Sequence, residues 1–333
     1  METRTLGRTG LKVSALGFGC GAVGGLMVRG EPADQRRAVA RAIELGINYF
    51  DTAPQYGDGA SERNLGRVLS ELTVTADIFV GTKIRVSPGD YDRLEQVIPE
   101  GLEASLKRLG RESVDLFQLH NAIAPESSDE ALSLRAVFSE VVPALERLRT
   151  QGKTQFFGIT AVGDTAALQQ VIDAQAFDTA QVSYNMLNPS AGAAVPAGYP
   201  AQDYGDLIGR AQAAGMGVIN IRVLAGGALS GSEARHPIAS PPPAPIGSGH
   251  DYGIDVQRAR RLAPLIEQGF ADDLAEASLR FSIANPGVST VLIGMARIEE
   301  LEHAAAAVSK GPLSADALRQ LAALQNGFVG EAR

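Results

Sequence analysis

Three β-rich runs of this chain end in residues that can carry charge or a proton: Asp51, Lys83 and His120, with Tyr56 five positions past the first. The set fits hydride transfer to or from a carbonyl carbon. A free phenol has a pKa of about 10, too high for an efficient acid or base near neutrality. A neighbouring ammonium favours the phenolate and lowers that value. In this reading Lys83 supplies the ammonium and Asp51 keeps it charged and oriented. His120, which Asn121 follows, hydrogen-bonds the carbonyl oxygen and aligns it. Tyr56 donates its proton as hydride arrives, or accepts one in the oxidative direction. A positioned acid–base of this kind contributes roughly 10²- to 10⁴-fold. Singly, each of these residues reads as a solvated loop residue or a structural histidine. The chemistry requires that they converge.

Convergence needs strands whose ends meet at one mouth. Eight runs read as strands: Ala15–Cys20, Gly46–Asp51, Ile78–Lys83, Val114–His120, Gln155–Thr160, Thr179–Ser183, Gly217–Val223 and Ser289–Ile293. Amphipathic helical spacing lies between them at Ala33–Leu45, Leu94–Leu109, Val137–Gln151, Thr165–Ala174, Tyr204–Ala214, Asp255–Gln268, Asp272–Asn285 and Glu299–Val308. Asp164 reads as an N-cap, and Gly46, Gly110, Gly152 and Gly215 as helix stops. Alternating βα units imply parallel strands joined by helices. Eight such units favour an α/β fold of the (β/α)8 TIM-barrel type, whose active sites lie at the C-terminal ends of the strands. Thr5–Gly7 and Leu11–Val13 flank the turn Arg8-Thr9-Gly10 as an N-terminal β-hairpin that would cover the barrel floor. Two connections, from Asn185 to about Asp203 and from Gly226 to Gly253, are long and proline-rich. Loops of such length are usually functional lids or disordered. Both follow strands and so belong to the C-terminal face. No repeat beyond the βα period and no second domain is visible, so residues 1–333 read as one barrel domain.

The stretch Phe50-Asp51-Thr52-Ala53-Pro54-Gln55-Tyr56-Gly57-Asp58-Gly59-Ala60-Ser61-Glu62, continuing to Leu65-Gly66, resembles the signature of the aldo-keto reductase superfamily. The spacing to Gly81-Thr82-Lys83 and to Asp115-Leu116-Phe117-Gln118-Leu119-His120 matches that family as well. So does the opening, Leu6-Gly7-Arg8-Thr9-Gly10-Leu11-Lys12-Val13-Ser14 and Leu16-Gly17-Phe18-Gly19. The resemblance covers nearly the whole chain. It implies Asp51, Tyr56, Lys83 and His120 as a catalytic tetrad and a nicotinamide cofactor across the barrel mouth.

The resemblance also implies cofactor contacts. Gln181 matches a glutamine that binds the nicotinamide amide. Thr160, in Gly158-Ile159-Thr160-Ala161, stands where the family commonly has a serine followed by asparagine; Ala161 departs from that pattern. Leu224-Ala225-Gly226-Gly227-Ala228-Leu229 resembles the loop around the pyrophosphate, where glycine lets backbone N–H groups approach phosphate. Asn220-Ile221-Arg222-Val223, just before it, lacks the aromatic residue that often stacks on the nicotinamide. Arg222 reads either as a phosphate contact or as a salt-bridged strand residue. Gly294-Met295-Ala296, continuing to Glu300, resembles the adenosine-phosphate segment. Relatives that use NADP tend to be basic at the position of Glu300. A carboxylate there repels a 2′-phosphate and can accept a hydrogen bond from a 2′-hydroxyl, which favours NAD over NADP. Arg297 argues the other way, and Glu299-Glu300 also suits an ordinary helix N-terminus. These departures resemble the galactose- and fucose-type sugar dehydrogenase branch, which implies oxidation of a pyranose at its anomeric carbon.

Other features carry less. Gly19-Cys20-Gly21-Ala22-Val23-Gly24 is a literal G-x-G-x-x-G after a strand, but Gly25, Gly30 and Pro32 follow instead of a long helix. It reads as a flexible rim loop with Gly21 near the cofactor and Ala22 near the substrate. Cys20, the single cysteine, reads as a small packed residue and excludes a disulfide framework. His120, His236, His250 and His303 lack metal-ligand spacing, so no metal site is expected. Tyr184 reads either as core or as a nicotinamide contact. The net charge of −8 argues against a polyanion such as nucleic acid as partner. No apolar run is long enough for a membrane span, and a cytoplasmic protein is expected. The substrate-binding set is Ala22, Tyr56, His120 and Asn121. The expected activity is NAD(P)-dependent oxidation of a small alcohol or sugar. The alternatives are carbonyl reduction with NADPH, and a nicotinamide-binding regulatory subunit with little turnover. Nothing in the composition sets an oligomeric state.

Overall fold

Apolar runs that alternate with amphipathic helices build a closed barrel in the computed structural model, which describes residues 1–74, 77–249 and 251–332. The chain opens with β1 (Thr3–Thr5) and β2 (Lys12–Ser14), paired antiparallel. Then follow β3 (Leu16–Gly19), β4 (Tyr49–Asp51), β5 (Phe79–Ile84) and β6 (Val114–Leu119). A short parallel pair outside the barrel, β7 (Ala122–Ala124) and β8 (Ala131–Ser133), comes next. The barrel is completed by β9 (Thr154–Ala161), β10 (Thr179–Ser183), β11 (Gly217–Ile221) and β12 (Val288–Gly294). All eight expected strands are present, and β12 returns to pair with β3. Every barrel pairing is parallel, so all strand C-termini open on one face.

The hairpin seals the other face. Leu6 and Val13 join Tyr49, Leu116, Ile219 and Leu292 in the apolar plug of the barrel interior. Each such side chain removed from water contributes roughly 1.5–3 kcal/mol. Space inside is allotted residue by residue. A Cβ placed on Gly81 would lie 2.7 Å from the Tyr49 hydroxyl, and one on Gly17 would lie 3.2 Å from its ring. Glycine on both flanking strands is what admits a phenol at Tyr49.

Most expected helices form within a few residues of their predicted ends. Asp164 caps its helix by accepting from Ala167 N at 2.8 Å. Two helices that the periodicity does not reveal are Ala60–Leu72 and Ala315–Asn326. The first buries Ser61 and Glu62 beside Leu65 and Val68, so its inner face does not read as apolar. The second buries only Ala317, Leu321 and Gln325, too narrow a stripe to stand out. The expected helix over 137–151 begins as a π-turn at Val137–Val141 ahead of Pro143, which lacks an N–H for an α-helical bond. The one over 255–268 divides into Tyr252–Arg260 and Pro264–Glu267 at a proline. The glycine-rich rim loop contains a single turn of helix, Leu26–Arg29.

The two long connections pack against each other. Asn188 Nδ2 donates to Gln202 O at 2.9 Å and to Gly247 O at 2.5 Å, and Gln202 N donates to Gly247 O at 3.1 Å. Arg258 fastens the second connection by donating to Ser248 O at 3.2 Å.

Candidate active site

Strand alternation places Asp51 and Lys83 inside the mouth. Asp51 closes β4, Lys83 sits one residue before the end of β5, and His120 directly follows β6. Asp51 and Lys83 are buried and form an ion pair through Asp51 Oδ1. An ammonium has three donors. Lys83 uses one on Asp51 and one on Thr52 O at 2.9 Å, leaving one for Tyr56, whose hydroxyl helps to hold the ammonium charged. Lys83 Nζ lies 5.1 Å from the centroid of the Tyr56 ring, and the His120 ring stands edge-on to that ring at 6.1 Å. Tyr56 is presented by a tight turn in which Tyr56 N donates to Ala53 O and Ser61 N donates to Tyr56 O. The expected tetrad is thus assembled in one place.

The second half of the signature is architectural. Ser61 Oγ bonds Thr52 Oγ1 at 2.7 Å and donates to Cys20 O at 2.9 Å. Buried Glu62 accepts from Thr82 Oγ1 at 2.6 Å and pairs with Arg108 at 2.5 Å. These bonds tie the helix after the Tyr56 turn to β5 and so fix Tyr56 against Lys83.

The electrostatics correct one expectation. Burial pushes the Tyr56 phenol above its ordinary value; Lys83 and Arg222 pull it down, Asp51 pushes it up, and the net direction is upward. The ammonium moderates the burial penalty without reversing it. Burial works against a charged Lys83, but Asp51 and Tyr56 outweigh it and hold the ammonium charged. Burial, then Lys83 and Arg85, drive the His120 imidazole down to about 3. His120 is therefore neutral at any working pH, and its buried Nδ1 has no partner among the described residues. A pH consequence follows. The reductive direction needs protonated Tyr56, which persists below a raised pKa, so its rate should be level from pH 6 to 9. The oxidative direction needs the phenolate and should rise through the alkaline range. Neither profile should show a histidine limb between about pH 5 and 8. Rate profiles in both directions check this.

Gln181 and Thr160 are register partners on β10 and β9, with Thr160 Oγ1 3.5 Å from Gln181 Oε1. Gln181 Nε2 donates to Asp51 Oδ2 at 2.7 Å, so Gln181 faces the tetrad. A Cβ on Gly21 would lie 3.9 Å from the Tyr56 ring, which puts Gly21 beside the phenol. Arg222 makes no ion pair among the described residues and senses the Tyr56 charge; the salt-bridged reading is not what the structure displays. Arg222 (φ 58°) and Ala225 (φ 47°) hold left-handed backbone in which only glycine is at ease, and Gly226 and Gly227 continue it. Such strain gathers at binding and catalytic sites. Leu224 opens this turn. Gly294 ends β12 and Met295 and Ala296 follow it, where Met295 O accepts from Leu26 N at 3.1 Å. Glu300 accepts from Ala296 N at 2.8 Å and lies 3.4 Å from Arg297, so it also ties the residues just before its own helix to the first turn. The carbonyl of Ala22 is taken by Arg29 at 2.5 Å.

Asn121 is engaged with backbone. Its Oδ1 accepts from Val86 N and its Nδ2 donates to Val86 O, both at 2.8 Å, which locks the loops after β5 and β6 together. Tyr184 is core, stacked on Phe281 at 4.7 Å. His250 lies outside the described residues. Two site residues escape the sequence reading: Tyr49 and Gln118 each donate to Asp51 Oδ2, at 3.1 and 3.2 Å. The signal was available, because each stands two positions before a tetrad residue on the same strand face.

A barrel of this topology with this mouth is an aldo-keto reductase barrel, and the chain belongs to the Aldo/keto reductase family, whose model matches residues 15–326. The chain is 32% identical over 315 residues to the L-galactose dehydrogenase of Arabidopsis thaliana, spanning 93% of this chain and 89% of that one. This likeness bears out the resemblance to the sugar dehydrogenase branch. The aldo-keto reductase of Bacillus halodurans in its holo form shares the fold, with a TM-score of 0.71 at 24% identity over 100% of this chain and 98% of that one. So does an aldo/keto reductase of Klebsiella pneumoniae solved with NADP and acetate, with a TM-score of 0.68 at 22% identity over 97% and 95%. The chain is an oxidoreductase acting on CH–OH groups, and its family binds nicotinamide cofactors. No helix among the described residues is long and apolar enough to cross a membrane.

Proposed function

We propose that this chain oxidises a neutral sugar at its anomeric CH–OH using NAD, with Tyr56 as the acid–base. The observation that carries the reading is the Asp51–Lys83–Tyr56 chain of contacts at the mouth of the barrel. The residues present suit a nicotinamide dinucleotide: Gly21 leaves room over the Tyr56 ring, and the left-handed turn over 222–227 offers backbone rather than side chain. When bound, that cofactor supplies the hydride acceptor. The chain does the rest. Neutral His120 holds the substrate oxygen without competing for its proton. Tyr56 takes the proton, and Lys83, anchored by Asp51, stabilises the phenolate that accepts it.

A cavity of about 290 Å³ beside the mouth supports a sugar. Gln55, Arg85, Tyr91, Asn121, Asp129 and Glu130 are among its lining residues. Carboxylates only accept hydrogen bonds and guanidinium only donates them, whereas each sugar hydroxyl does both. Asp129 and Glu130 are exposed acceptors to which sugar hydroxyls can donate and a simple aldehyde cannot. The volume is at the small end for ligand pockets and suits one ring. The test is a panel of neutral aldoses, uronic acids, sugar phosphates and simple aldehydes, run in both directions with each cofactor. Turnover of neutral aldoses with NAD is expected. Activity confined to simple aldehydes with NADPH would instead select the reductase reading. Tight cofactor binding with no turnover of any substrate would select the regulatory one.

Glu300 supports NAD, because its carboxylate would repel a 2′-phosphate. Glu300→Arg should raise kcat/KM for NADP relative to NAD by about tenfold or more, the scale of removing one charge repulsion and adding one attraction. A wild-type enzyme that already favours NADP by a large factor overturns the NAD assignment.

A further inference from the structure

Asp51 is buried and receives four side-chain donors among the described residues. Oδ1 receives Lys83. Oδ2 receives three neutral donors: Gln181 Nε2 at 2.7 Å, the Tyr49 hydroxyl at 3.1 Å and Gln118 Nε2 at 3.2 Å. The two amides come from β10 and β6, across the barrel. Tyr49 comes from the strand of Asp51 itself, two residues earlier, and is 1% exposed. A buried tyrosine hydroxyl needs a partner, and Asp51 is its only one among the described residues. Three strands are committed to this contact, since the phenol fits only between Gly17 on β3 and Gly81 on β5.

We propose that Tyr49 is a positioning residue: by donating to Asp51 Oδ2 it fixes the carboxylate that holds Lys83 against Tyr56. The inference rests on Tyr56 being the acid–base. Tyr49 touches neither substrate nor cofactor in this role. It acts by turning Oδ1 toward Lys83 and by offsetting part of the Asp51 charge that Tyr56 would otherwise feel. Burial, the Asp51 charge and its hydrogen bond, with smaller contributions from Tyr56 and Asp115, keep the Tyr49 phenol far above its ordinary value, so it remains a donor at every working pH. The charged and titratable groups around Tyr56 itself are Lys83 on β5, Asp51 on β4, Arg222 after β11 and His120 after β6.

The experiment is Tyr49→Phe, which removes one oxygen and nothing else. With that donor gone, the uncompensated charge on Asp51 disfavours the Tyr56 phenolate. The alkaline limb of the oxidative kcat profile should move to higher pH by about half a unit to one unit, and kcat on the rising limb should fall about three- to tenfold, with KM for the sugar unchanged. A merely structural role would lower Tm and leave the limb in place, and that result overturns the proposal. Gln118→Met, which removes a second donor from the same oxygen, carries the same test if Tyr49→Phe does not fold, and should shift the limb in the same direction. Gly81→Ala provides a check on geometry. Its Cβ crowds the Tyr49 hydroxyl, so it should mimic Tyr49→Phe in the pH profile and lower Tm. In the Tyr49→Phe background the same change should lower Tm by less. If Tyr49→Phe leaves the profile unmoved while Tyr56→Phe abolishes turnover, the proposal fails and the acid–base assignment stands. If Tyr56→Phe retains turnover, the assignment itself has failed.

Discussion

Tyr56→Phe lowers kcat in both directions by about 10²- to 10⁴-fold and leaves the dissociation constant of the nicotinamide cofactor within about twofold. The size follows from what is removed. The substitution deletes the atom that exchanges a proton with the substrate oxygen and keeps the ring that packs beside Gly21 and His120. Oxidation then has no effective base at the reacting oxygen, because burial and the nearby cations leave His120 too weakly basic to hold a proton and Lys83 is already charged. The pH dependence of the residual rate should lose its alkaline rise. Fluorescence titration of the cofactor together with steady-state rates separates binding from chemistry. Retention of more than a tenth of wild-type turnover would remove Tyr56 from the mechanism.

Lys83→Met abolishes turnover to a similar depth and, unlike Tyr56→Phe, also unsettles the fold. The ammonium is fully buried and shares one oxygen of Asp51. Removing it strands a carboxylate in the barrel with only neutral donors, and breaking a buried pair from one side costs about 3–5 kcal/mol. For a chain of this size that should appear as a clear fall in Tm and in the denaturant midpoint. Adding Asp51→Asn removes the stranded charge. The double variant should recover most of the lost stability and none of the activity, since Tyr56 still lacks its cation. A double variant no more stable than Lys83→Met would mean that the pair is not coupled as the geometry shows. Recovered activity would mean that Lys83 serves only the fold.

Much of this site is legible in the sequence because catalytic barrels place chemistry at strand ends. Asp51, Lys83 and His120 announce themselves by following apolar runs, and eight such runs alternating with helices leave few alternatives to a closed barrel. What stayed hidden has a common cause: polar residues turned inward. Tyr49 and Gln118 read as ordinary strand residues until the barrel closes and brings three strands onto one carboxylate. The helix Ala60–Leu72 hides its amphipathic face because Glu62 is buried there, balanced by Arg108 from a helix 46 residues away. No local pattern contains such a partner. Electrostatic direction was illegible for the same reason. The proximity of Lys83 to Tyr56 could be guessed from spacing, but the degree of burial that outweighs it could not. Length and proline content do not show what the two long connections pack against; Asn188 and Gln202 of one stitch it to Gly247 of the other.

The most direct test of the central claim follows the hydrogen. A neutral aldopyranose that the enzyme turns over is deuterated at its anomeric carbon and oxidised with NAD, and the reduced cofactor is weighed by mass spectrometry. Oxidation at the anomeric CH–OH predicts one deuterium in each reduced nicotinamide formed, with the label lost from the sugar product. Reduced nicotinamide without deuterium, with the label retained at the anomeric carbon of the sugar product, would contradict it.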